Sequence, residues 1–523
     1  MRRGLRALRI AVGAAVFLVF AFAFLGVDAP AAALAALLPR TQAGPMLVRL
    51  VGAGSLAAAL ALAVVVVVTL TAGRLYCAAW CPLGILQDGV RFLARRLPWL
   101  RRWQDRPPRA GWPRWRRFIR WTVLTAAVVP AVLGFGALAA SLEPYSAFGR
   151  IIVHGAWPLG GLARDALAAG LERLDVYALS GTEPLWPPAM AAGLMGAFLL
   201  LVIVLAVLGG RSYCTTVCPV GTVLGLLAGA APLRVRVDAA ACTRCGLCAR
   251  RCRAGCLRIE GDAVHLEPSA CVACMDCLAV CPAGAVRYGL PPAAAAPRRD
   301  AERRELLAAG SAAALAALAQ PVRLLAGEHP AASDLGPVSP PGSGSRERFV
   351  RSCTACQLCV TTCPSRVLQP ALLEYGAGGL LQPRLSFADG FCEYECKRCT
   401  DVCPTGALRP LALAEKQRTQ LGVARLHKTR CIVYCRGEEC GACAEVCPTH
   451  AVYTRPQDGL LCPEMAPGSC IGCGACEYAC PESPKAIEVL ANAIHGQAAE
   501  PHATEVPAAP APPAARSTAD FPF

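Results

Sequence analysis

The cysteines between positions 242 and 281 have a spacing that suits iron–sulfur chemistry. They form two runs of the type C-x2-C-x2-C-x3-C, and a proline follows the second run. Runs of this type bind two [4Fe–4S] clusters, with three thiolates of a run on one cluster and the fourth on its neighbour. The predicted ligands are Cys242, Cys245, Cys248 and Cys281 for the first cluster, and Cys271, Cys274, Cys277 and Cys252 for the second.

Structural zinc is the alternative interpretation of these runs. Zinc sites are built from two C-x2-C pairs, whereas each run here has four cysteines. A disulfide framework is disfavoured as well, because the 31 cysteines of this 523-residue chain occur mainly in metal-ligand spacings. The segment 233–290 is therefore predicted to be an α+β domain of the bacterial-ferredoxin type with two clusters.

Four further rows of cysteines predict four more clusters in the segment 346–490. They are Cys353, Cys356, Cys359 and Cys363; Cys392, Cys396, Cys399 and Cys403; Cys431, Cys440, Cys443 and Cys447; and Cys470, Cys473, Cys476 and Cys480. The first row should exchange its fourth cysteine with the second, and the third row with the fourth. In the third row Cys431 stands far upstream, and Cys435 is the closer rival. Cys256, Cys435 and Cys462 are left over and are expected to be free thiols.

The composition of the first half is that of a membrane protein. The mean hydropathy of the chain is +0.43, and four apolar stretches, 8–27, 50–72, 118–140 and 189–209, are long enough to span a bilayer. The net charge of +16 comes from arginines beside these stretches. This distribution indicates membrane orientation, and we expect no nucleic-acid partner.

The arginines also predict the orientation of the spans. The loop 73–120 carries 12 arginines and two aspartates, whereas the loop 141–187 carries three arginines and five acidic residues. The positive-inside rule places the N-terminus and the first loop in the cytoplasm and the second loop outside. With four spans in front of it, the segment 233–290 is then cytoplasmic.

An internal repeat follows the second and fourth stretches. The sequence GRLYCAAWCPLG at 73–84 matches GRSYCTTVCPVG at 210–221. Cys77 and Cys81 are four residues apart, as are Cys214 and Cys218, so a helix would place each pair on one face and proline would end or bend it. We expect the two pairs to meet and form an additional redox site, with a structural role as the alternative.

The combination of topology, repeat and cysteine runs resembles NapH-type membrane ferredoxins over residues 1–290. It is also similar to the membrane ends of NosR and CcoG proteins. The resemblance implies quinol oxidation and electron transfer through iron–sulfur clusters. In the loop 141–187, Glu143, Arg150 and His154 are candidates for a quinol site that accepts protons, with an amphipathic interfacial segment as the alternative.

A hinge at 298–345 separates the two halves. Arg303 and Arg304 precede an alanine-rich run, which resembles a Tat signal and would add a fifth crossing; an amphipathic or disordered linker is the alternative. The stretch 334–345 is rich in proline, glycine and serine and is expected to be flexible. From 298 to 490 the chain resembles NapG and related periplasmic polyferredoxins, which implies a periplasmic second half.

Together these patterns predict a four-span membrane helical bundle at 1–232, cluster domains of the α+β ferredoxin type at 233–290 and 346–490, and a disordered tail at 491–523. The predicted location is the bacterial inner membrane, in contact with lipid and the quinone pool. The predicted function is a quinol dehydrogenase component with six [4Fe–4S] clusters that serves a reductase or cytochrome. A CcoG-like assembly factor for a metalloenzyme is the alternative.

Overall fold

Six ranges of the chain are described by the computed structural model. They are residues 2–25, 37–104, 114–176, 189–260, 263–290 and 336–501. The twin-arginine segment, which is predicted either to cross the membrane a fifth time or to act as a linker, lies outside the described residues. The tail from 502 onward lies outside them as well.

The N-terminal half is helical. Its helices are α1 Arg2–Leu25, α2 Ala43–Ala53, α3 Leu56–Ala72, α4 Pro82–Ala94, α5 Pro98–Gln104, α6 Arg114–Leu133, α7 Gly136–Ala139, α8 Pro144–Ile151, α9 Trp157–Glu172, α10 Ala189–Gly209 and α11 Pro219–Gly229. Among the described residues, α1 from Gly4 and α10 are long and apolar enough to cross a membrane, judged by length and composition alone. The apolar α3 has only 17 residues, and α6 begins with a turn rich in arginine. Two of the four expected spans therefore meet these criteria, and the bundle of four stays a prediction.

The two CxxxCP segments fold alike. A glycine with positive φ follows the apolar helix in each case (Gly73, 75°; Gly210, 65°), and a five-residue π-helical turn comes next, Tyr76–Trp80 or Tyr213–Val217. The proline then opens α4 or α11, where its fixed φ and missing N–H are well tolerated. Each turn ends directly before its proline, as expected. The two cysteines of a pair do not share one helix, however, because the second cysteine is extended and caps the new helix.

Residues 233–290 form what we call the first cluster unit. Its strands are β1 Arg234–Val237, β2 Leu257–Glu260, β3 Ala263–Leu266 and β4 Val286–Gly289, and its helices are α12 Leu247–Arg251 and α13 Asp276–Val280. Strand β1 pairs antiparallel with β4, and β2 pairs with β3. Each short helix contains the third cysteine of a run as its second residue, and the apolar side chains between the helices and strands form a small core. This α+β arrangement is the one expected from the cysteine runs.

Residues 336–501 form the second cluster unit. Its elements are α14 Arg346–Ser352, α15 Leu358–Thr362, β5 Leu368–Pro370, β6 Pro383–Leu385, α16 Arg398–Val402, α17 Leu413–Arg418, β7 Thr419–Leu426, α18 Ile432–Arg436, α19 Ala442–Glu445, β8 Val452–Gln457, β9 Leu460–Met465, α20 Ala475–Ala479 and β10 Ile487–Gln497. Antiparallel pairs join β5 to β6, β8 to β9 and β7 to β10. The long pair β7–β10 joins the middle of this unit to its C-terminal end, and Ser345 forms an isolated bridge with Ile494.

Two boundaries differ from those expected. Residues 336–345 are packed rather than flexible, because the carbonyl of Val338 accepts a hydrogen bond from Leu385 N at 2.9 Å and Ser343 is fully buried. The predicted disordered tail starts too early, since β10 continues to Gln497 and Ala498 is buried behind it. In both places small residues that look like a linker are used for close packing.

The two cluster units contact opposite ends of α1. Near its N-terminus, Arg6 Nε donates to Asp276 of the first cluster unit at 2.8 Å. Near its C-terminus, Phe24 belongs to the same apolar core as Tyr145 and Cys356, the latter from the second cluster unit. A helix of 24 residues is about 36 Å long. Arg6 and Phe24 are 18 residues apart on this helix, so the helical half separates these two contacts by about 27 Å.

A buried carboxylate holds the first cluster unit against the helices. Asp88 on α4 accepts from Arg9 at 3.0 Å, from Arg211 at 2.7 and 2.9 Å, and from Arg253 of the first cluster unit at 2.7 Å. Burial alone would raise the pKa of Asp88, but these guanidiniums outweigh it and hold the pKa well below its usual range. One side chain thus joins α1, α4, the start of the second repeat and a cluster loop.

Replacing Asp88 by asparagine should destabilise the protein by about 3–5 kcal/mol, because it leaves buried guanidiniums without their counter-charge. The measurement is thermal unfolding of the detergent-solubilised protein. Since the pKa is depressed, the stabilisation should be complete above the ordinary aspartate pKa of about 3.9 and be lost as the pH falls further.

Glu172→Gln is the matched control for this change. Glu172 is exposed on α9, so the same loss of one negative charge should leave the unfolding midpoint unchanged. Equal midpoints for Asp88→Asn and Glu172→Gln would show that the network does not stabilise the docked unit.

Candidate iron–sulfur sites

The first cluster unit brings its cysteines together in the crossed arrangement predicted from their spacing. Cys271, Cys274 and Cys277 line one small cavity together with Cys252 from the other run. In the other group, Cys248 interacts electrostatically with Cys242, Cys245 and Cys281. Each run therefore supplies three thiols to one group and one thiol to its partner.

The cluster loops share an unusual backbone. In four rows the two residues that flank the second cysteine have positive φ. These residues are Arg244 and Gly246, Ala273 and Met275, Ala355 and Gln357, and Gly472 and Gly474. Five of these eight are not glycine, and such a conformation costs a residue with a side chain about 1–2 kcal/mol. Strain of this kind persists where a site requires it. The repeated conformation therefore fits loops that wrap a bound group.

The second cluster unit shows the same exchange of fourth cysteines. Its four groups are Cys353, Cys356 and Cys359 with Cys403; Cys392, Cys396 and Cys399 with Cys363; Cys431, Cys440 and Cys443 with Cys480; and Cys470, Cys473 and Cys476 with Cys447. The last group lines a small cavity. The second and third rows depart from the standard spacing, yet their cysteines also form groups of four thiols.

The structure distinguishes the two candidates for the third row. Cys431 is buried in the same core as Cys440 and Cys443, and it interacts electrostatically with Cys443. Cys435 is exposed, and its thiol donates to the backbone carbonyl of Thr429 at 2.8 Å. The geometry therefore favours Cys431 as the ligand.

Within the described ranges, no three His, Cys, Asp or Glu side chains are grouped closely enough to hold a single metal ion. A mononuclear zinc site draws its thiolates onto one atom at about 2.3 Å. A cubane instead spreads four thiolates over four iron atoms, so the thiols stand further apart. The exchange of a fourth thiol between two rows is the arrangement of paired [4Fe–4S] clusters.

The cysteines of the two CxxxCP repeats meet in the helical half. Cys77, Cys81, Cys214 and Cys218 are each 3–4% exposed. Cys81 interacts with Cys77 and Cys214, and Cys218 interacts with the other three. The two repeats therefore form one group, which we call the four-thiol site.

Hydrogen-bond donors surround this site. Gln87 Nε2 donates to Cys214 Sγ at 3.1 Å, and the backbone N–H of Gly221 donates to Cys218 Sγ at 3.2 Å. Arg74 Nη2 lies 3.8 Å from Cys77 Sγ. Donors of this kind stabilise negatively charged sulfur, and thiolates that bind a metal carry such a charge.

Two arginines cross between the repeats. Arg74 of the first repeat donates to the carbonyl of Cys214 at 2.8 Å, and Arg211 of the second repeat donates to the carbonyl of Cys77. The close approach requires glycine, since a Cβ at Gly84 would lie 2.7 Å from the Cys77 carbonyl oxygen. The matching Gly221 faces the Cys214 carbonyl and Arg74. Our sequence interpretation did not assign these arginines, although GR opens both copies of the repeat.

The candidate quinol residues lie together near the second cluster unit. Glu143 caps α8 by accepting from Ser146 N at 2.6 Å, and Arg150 donates to the carbonyl of Ser141 at 2.6 Å. Burial raises the pKa of Glu143, whereas burial and then the charge of Arg150 lower the pKa of His154 to about 4. Glu143 is therefore the better proton acceptor of the two.

Polar atoms in this group lack partners among the described residues. They are Oε1 of Glu143 and both ring nitrogens of His154. Tyr145, next to Glu143, is fully buried and lies against Cys356. Buried polar atoms without partners mark a place where a bound molecule can supply them.

The three leftover thiols differ in their surroundings. Cys256 lines the cavity of the second cluster group, with its Sγ 3.4 Å from that of Cys252. Cys462 is buried in β9, and Cys435 is exposed. Spacing alone could not show that Cys256 lies inside a cluster cavity.

Comparison with known proteins gives matches in both halves of the chain. Residues 55–105 and 191–237 match a family described as a 4Fe-4S binding domain, and these segments contain the CxxxCP pairs. Residues 267–367 match a 4Fe-4S dicluster domain, and residues 395–406 and 467–483 match another 4Fe-4S binding domain. The chain matches no solved structure.

Several curated ferredoxin-type proteins are similar to part of the chain. The protein NapF of Escherichia coli (strain K12) is 31% identical over 155 residues, which are 29% of this chain and 85% of NapF. The methylamine utilization protein MauM of Methylobacillus flagellatus is 34% identical over 164 residues, 29% of this chain and 67% of MauM. MauM of Methylorubrum extorquens is 33% identical over 202 residues, 36% of this chain and 88% of MauM. The chain therefore belongs to the family of ferredoxin-type iron–sulfur proteins that includes NapF and MauM, and it carries several [4Fe–4S] binding domains.

Proposed function

We propose that this protein is a membrane-bound quinol dehydrogenase component that passes single electrons through six [4Fe–4S] clusters to a reductase or cytochrome. The observation that carries the proposal is the contact between a buried polar group and a cluster-binding cysteine. Glu143, Tyr145, Arg150 and His154 are each at most 8% exposed, and Tyr145 lies against Cys356. A two-electron donor bound there would be next to a one-electron acceptor.

Six groups of four cysteines support the cluster count. Each group combines three thiols of one row with the fourth thiol of its partner row, and these exchanges connect the clusters of each unit in pairs. When bound, such clusters accept and donate one electron at a time. The protein positions them, and it buries Cys353, Cys356, Cys470 and Cys473 away from water.

The apolar surface of the helices supports a membrane location. Only 28% of the most apolar part of α1 and 17% of that of α10 are buried inside the structure. Side chains such as Leu18, Phe22 and Leu200 are about half exposed. A surface of this size and character marks contact with lipid or another apolar partner.

The contacts at the two ends of α1 support a two-sided arrangement. The arginine-rich end carries the first cluster unit, and the other end carries the second cluster unit. By the positive-inside rule the arginine-rich end is cytoplasmic. The second cluster unit would then face the periplasm, in keeping with a periplasmic electron acceptor.

Oxidation of a quinol releases two protons and two electrons, and in this proposal Glu143 accepts the protons one at a time and passes each on to water. At neutral pH Glu143 offers an unpartnered oxygen, and burial strengthens it as a proton acceptor because it raises the pKa of the carboxyl group. His154 is neutral at that pH and can hydrogen-bond the ring oxygen of a quinol. Arg150 stabilises the negative charge that develops on the quinol oxygen as its proton leaves.

A CcoG-like assembly factor is the second candidate function. There the CxxxCP cysteines would react directly with a metal or a thiol of another protein. Their thiols are only 3–4% exposed, so a second protein could not reach them without a large rearrangement. The burial therefore favours electron transfer within the chain.

Cluster content is the first test of the proposal. Protein purified without oxygen should hold about 24 iron atoms per chain in the six groups, four for each [4Fe–4S] cluster, and any further iron belongs to the four-thiol site. Cys431→Ser should lower the iron content by about four atoms. Cys435→Ser is the matched control and should change nothing, because its thiol faces solvent. Iron near eight atoms with stoichiometric zinc would contradict six clusters.

Quinol coupling is the second test. A short-chain quinol added to the protein in membranes should bleach the cluster absorbance. Glu143→Gln should slow this bleaching by about 10²–10⁴-fold, the range for a lost proton acceptor. His154→Ala should have a smaller effect, because a histidine with a pKa of about 4 takes no proton at neutral pH.

Dithionite provides the control for both variants, since it reduces the clusters without proton transfer at this site. Its bleaching should be the same in Glu143→Gln, His154→Ala and the unmodified protein. Clusters that dithionite reduces and no quinol reduces would favour the assembly factor instead.

A further inference from the structure

Arg74 is a buried cation whose partners are the four-thiol site and the first cluster unit. It is 1% exposed, and its described hydrogen bonds go to Cys214 O, Cys77 Sγ and Ser269 O. Among the described residues it makes no ion pair with a carboxylate. Arg211, its counterpart in the other repeat, is equally buried but is paired with Asp88 at 2.7 Å.

A buried guanidinium without a counter-charge costs several kcal/mol, so a stable structure needs an anion beside Arg74. The groups that can carry that charge are the thiols of Cys77, Cys214 and Cys218, with which Arg74 interacts. Four thiolates outweigh the positive charge of a cubane core, so an iron–sulfur centre held by them is anionic. The surroundings of Arg74 therefore match a metal-loaded four-thiol site better than four neutral thiols.

Arg74 also connects this site to the first cluster unit. Its Nη1 donates to the carbonyl of Ser269 at 3.4 Å, and Ser269 stands two residues before the cluster-binding Cys271. Cys271 in turn interacts with the charge of Arg74. One guanidinium thus lies between the four-thiol site and the second cluster group of that unit.

On its other side the four-thiol site approaches the second cluster unit. Tyr213 precedes Cys214, and its hydroxyl donates to the carbonyl of Leu142 at 2.7 Å. Three residues further on, Tyr145 lies against Cys356. The four-thiol site therefore stands between the two cluster units, and Cys77, Cys81 and Cys218 belong to the same core as Cys356.

We infer that the four-thiol site is a redox relay between the two cluster units, and that Arg74 is the positioning residue that couples it to the first unit. The inference rests on the proposed membrane electron transfer and adds a route through the helical half. In each transfer one unit loses one electron and the other gains one, while the four-thiol site returns to its starting state. No bond is formed or broken in the chain.

The test uses the full chain in lipid vesicles. Titanium(III) citrate, an impermeant one-electron reductant, is added outside the vesicles, and ferricyanide, an impermeant one-electron oxidant, is trapped inside. A potassium ionophore in the membrane balances the charge that the electrons carry across. The trapped ferricyanide should be reduced much faster than in vesicles without protein. A rate equal to that of empty vesicles would overturn the relay.

Two variants locate the route. Cys77→Ser combined with Cys214→Ser should bring the rate down to that of empty vesicles while the iron of the six groups is retained. Arg74→Gln should lower the midpoint potential of one centre, because it removes a positive charge beside an anion. We expect a shift of at least about 59 mV, tenfold in the one-electron equilibrium constant.

Controls separate this role from a structural one. Arg74→Lys keeps the charge and should restore most of the potential. Arg173→Gln removes an exposed arginine that directly follows α9, and it should leave every midpoint unchanged. An unshifted midpoint in Arg74→Gln would refute the role of Arg74.

The outcome is distinguishable from failure of the proposed function. Clusters that quinol bleaches in vesicles without transfer across the bilayer would overturn the relay and leave quinol oxidation standing. Transfer across the bilayer without any response to quinol would support the relay and point to a protein electron donor in place of quinol.

Discussion

The crossing of Arg74 and Arg211 between the two CxxxCP repeats is the interaction on which the rest of the structure depends. Each guanidinium donates to a cysteine carbonyl of the other repeat, so the two turns cannot separate without leaving buried hydrogen-bond donors and acceptors unsatisfied. Gly84 and Gly221 permit that approach, since a side chain at either position would meet the carbonyl. The four thiols are brought together as a consequence, although 133 positions separate Cys81 from Cys214 in the sequence.

The two crossing arginines also hold the first cluster unit in place, and their positive charges are neutralised by different groups. Arg211 shares Asp88 with Arg9 and Arg253, and this network attaches a cluster loop to α1 and α4. Arg74 reaches the loop before Cys271 and has sulfur as its nearest source of negative charge. The internal repeat therefore uses one arginine for docking and the other to stabilise negative charge at the four-thiol site.

The cluster ligands could be read from the sequence because their chemistry is local. Three cysteines within seven residues, such as Cys470 to Cys476, need only one loop, and the exchanged fourth cysteine follows from a rule of spacing. That locality also gave the α+β fold of the cluster units. Spacing could not decide whether Cys431 or Cys435 is the ligand of the third row. The structure decides it, because the two thiols differ in burial. The composition of 336–345 also gives a wrong prediction. Proline and glycine predict a flexible linker there, but these residues pack closely against β6.

Long-range charge pairing is what the sequence could not show. The glycine–arginine pair that opens each repeat was visible, yet an arginine after an apolar stretch ordinarily marks the cytoplasmic end of a span. Only the fold reveals that both guanidiniums turn inward and become fully buried. A membrane-facing arginine could keep its head group in water, so the inward turn is stable only if the interior supplies negative charge. Asp88 supplies it for Arg211, and by the same reasoning the thiols of the four-thiol site must supply it for Arg74.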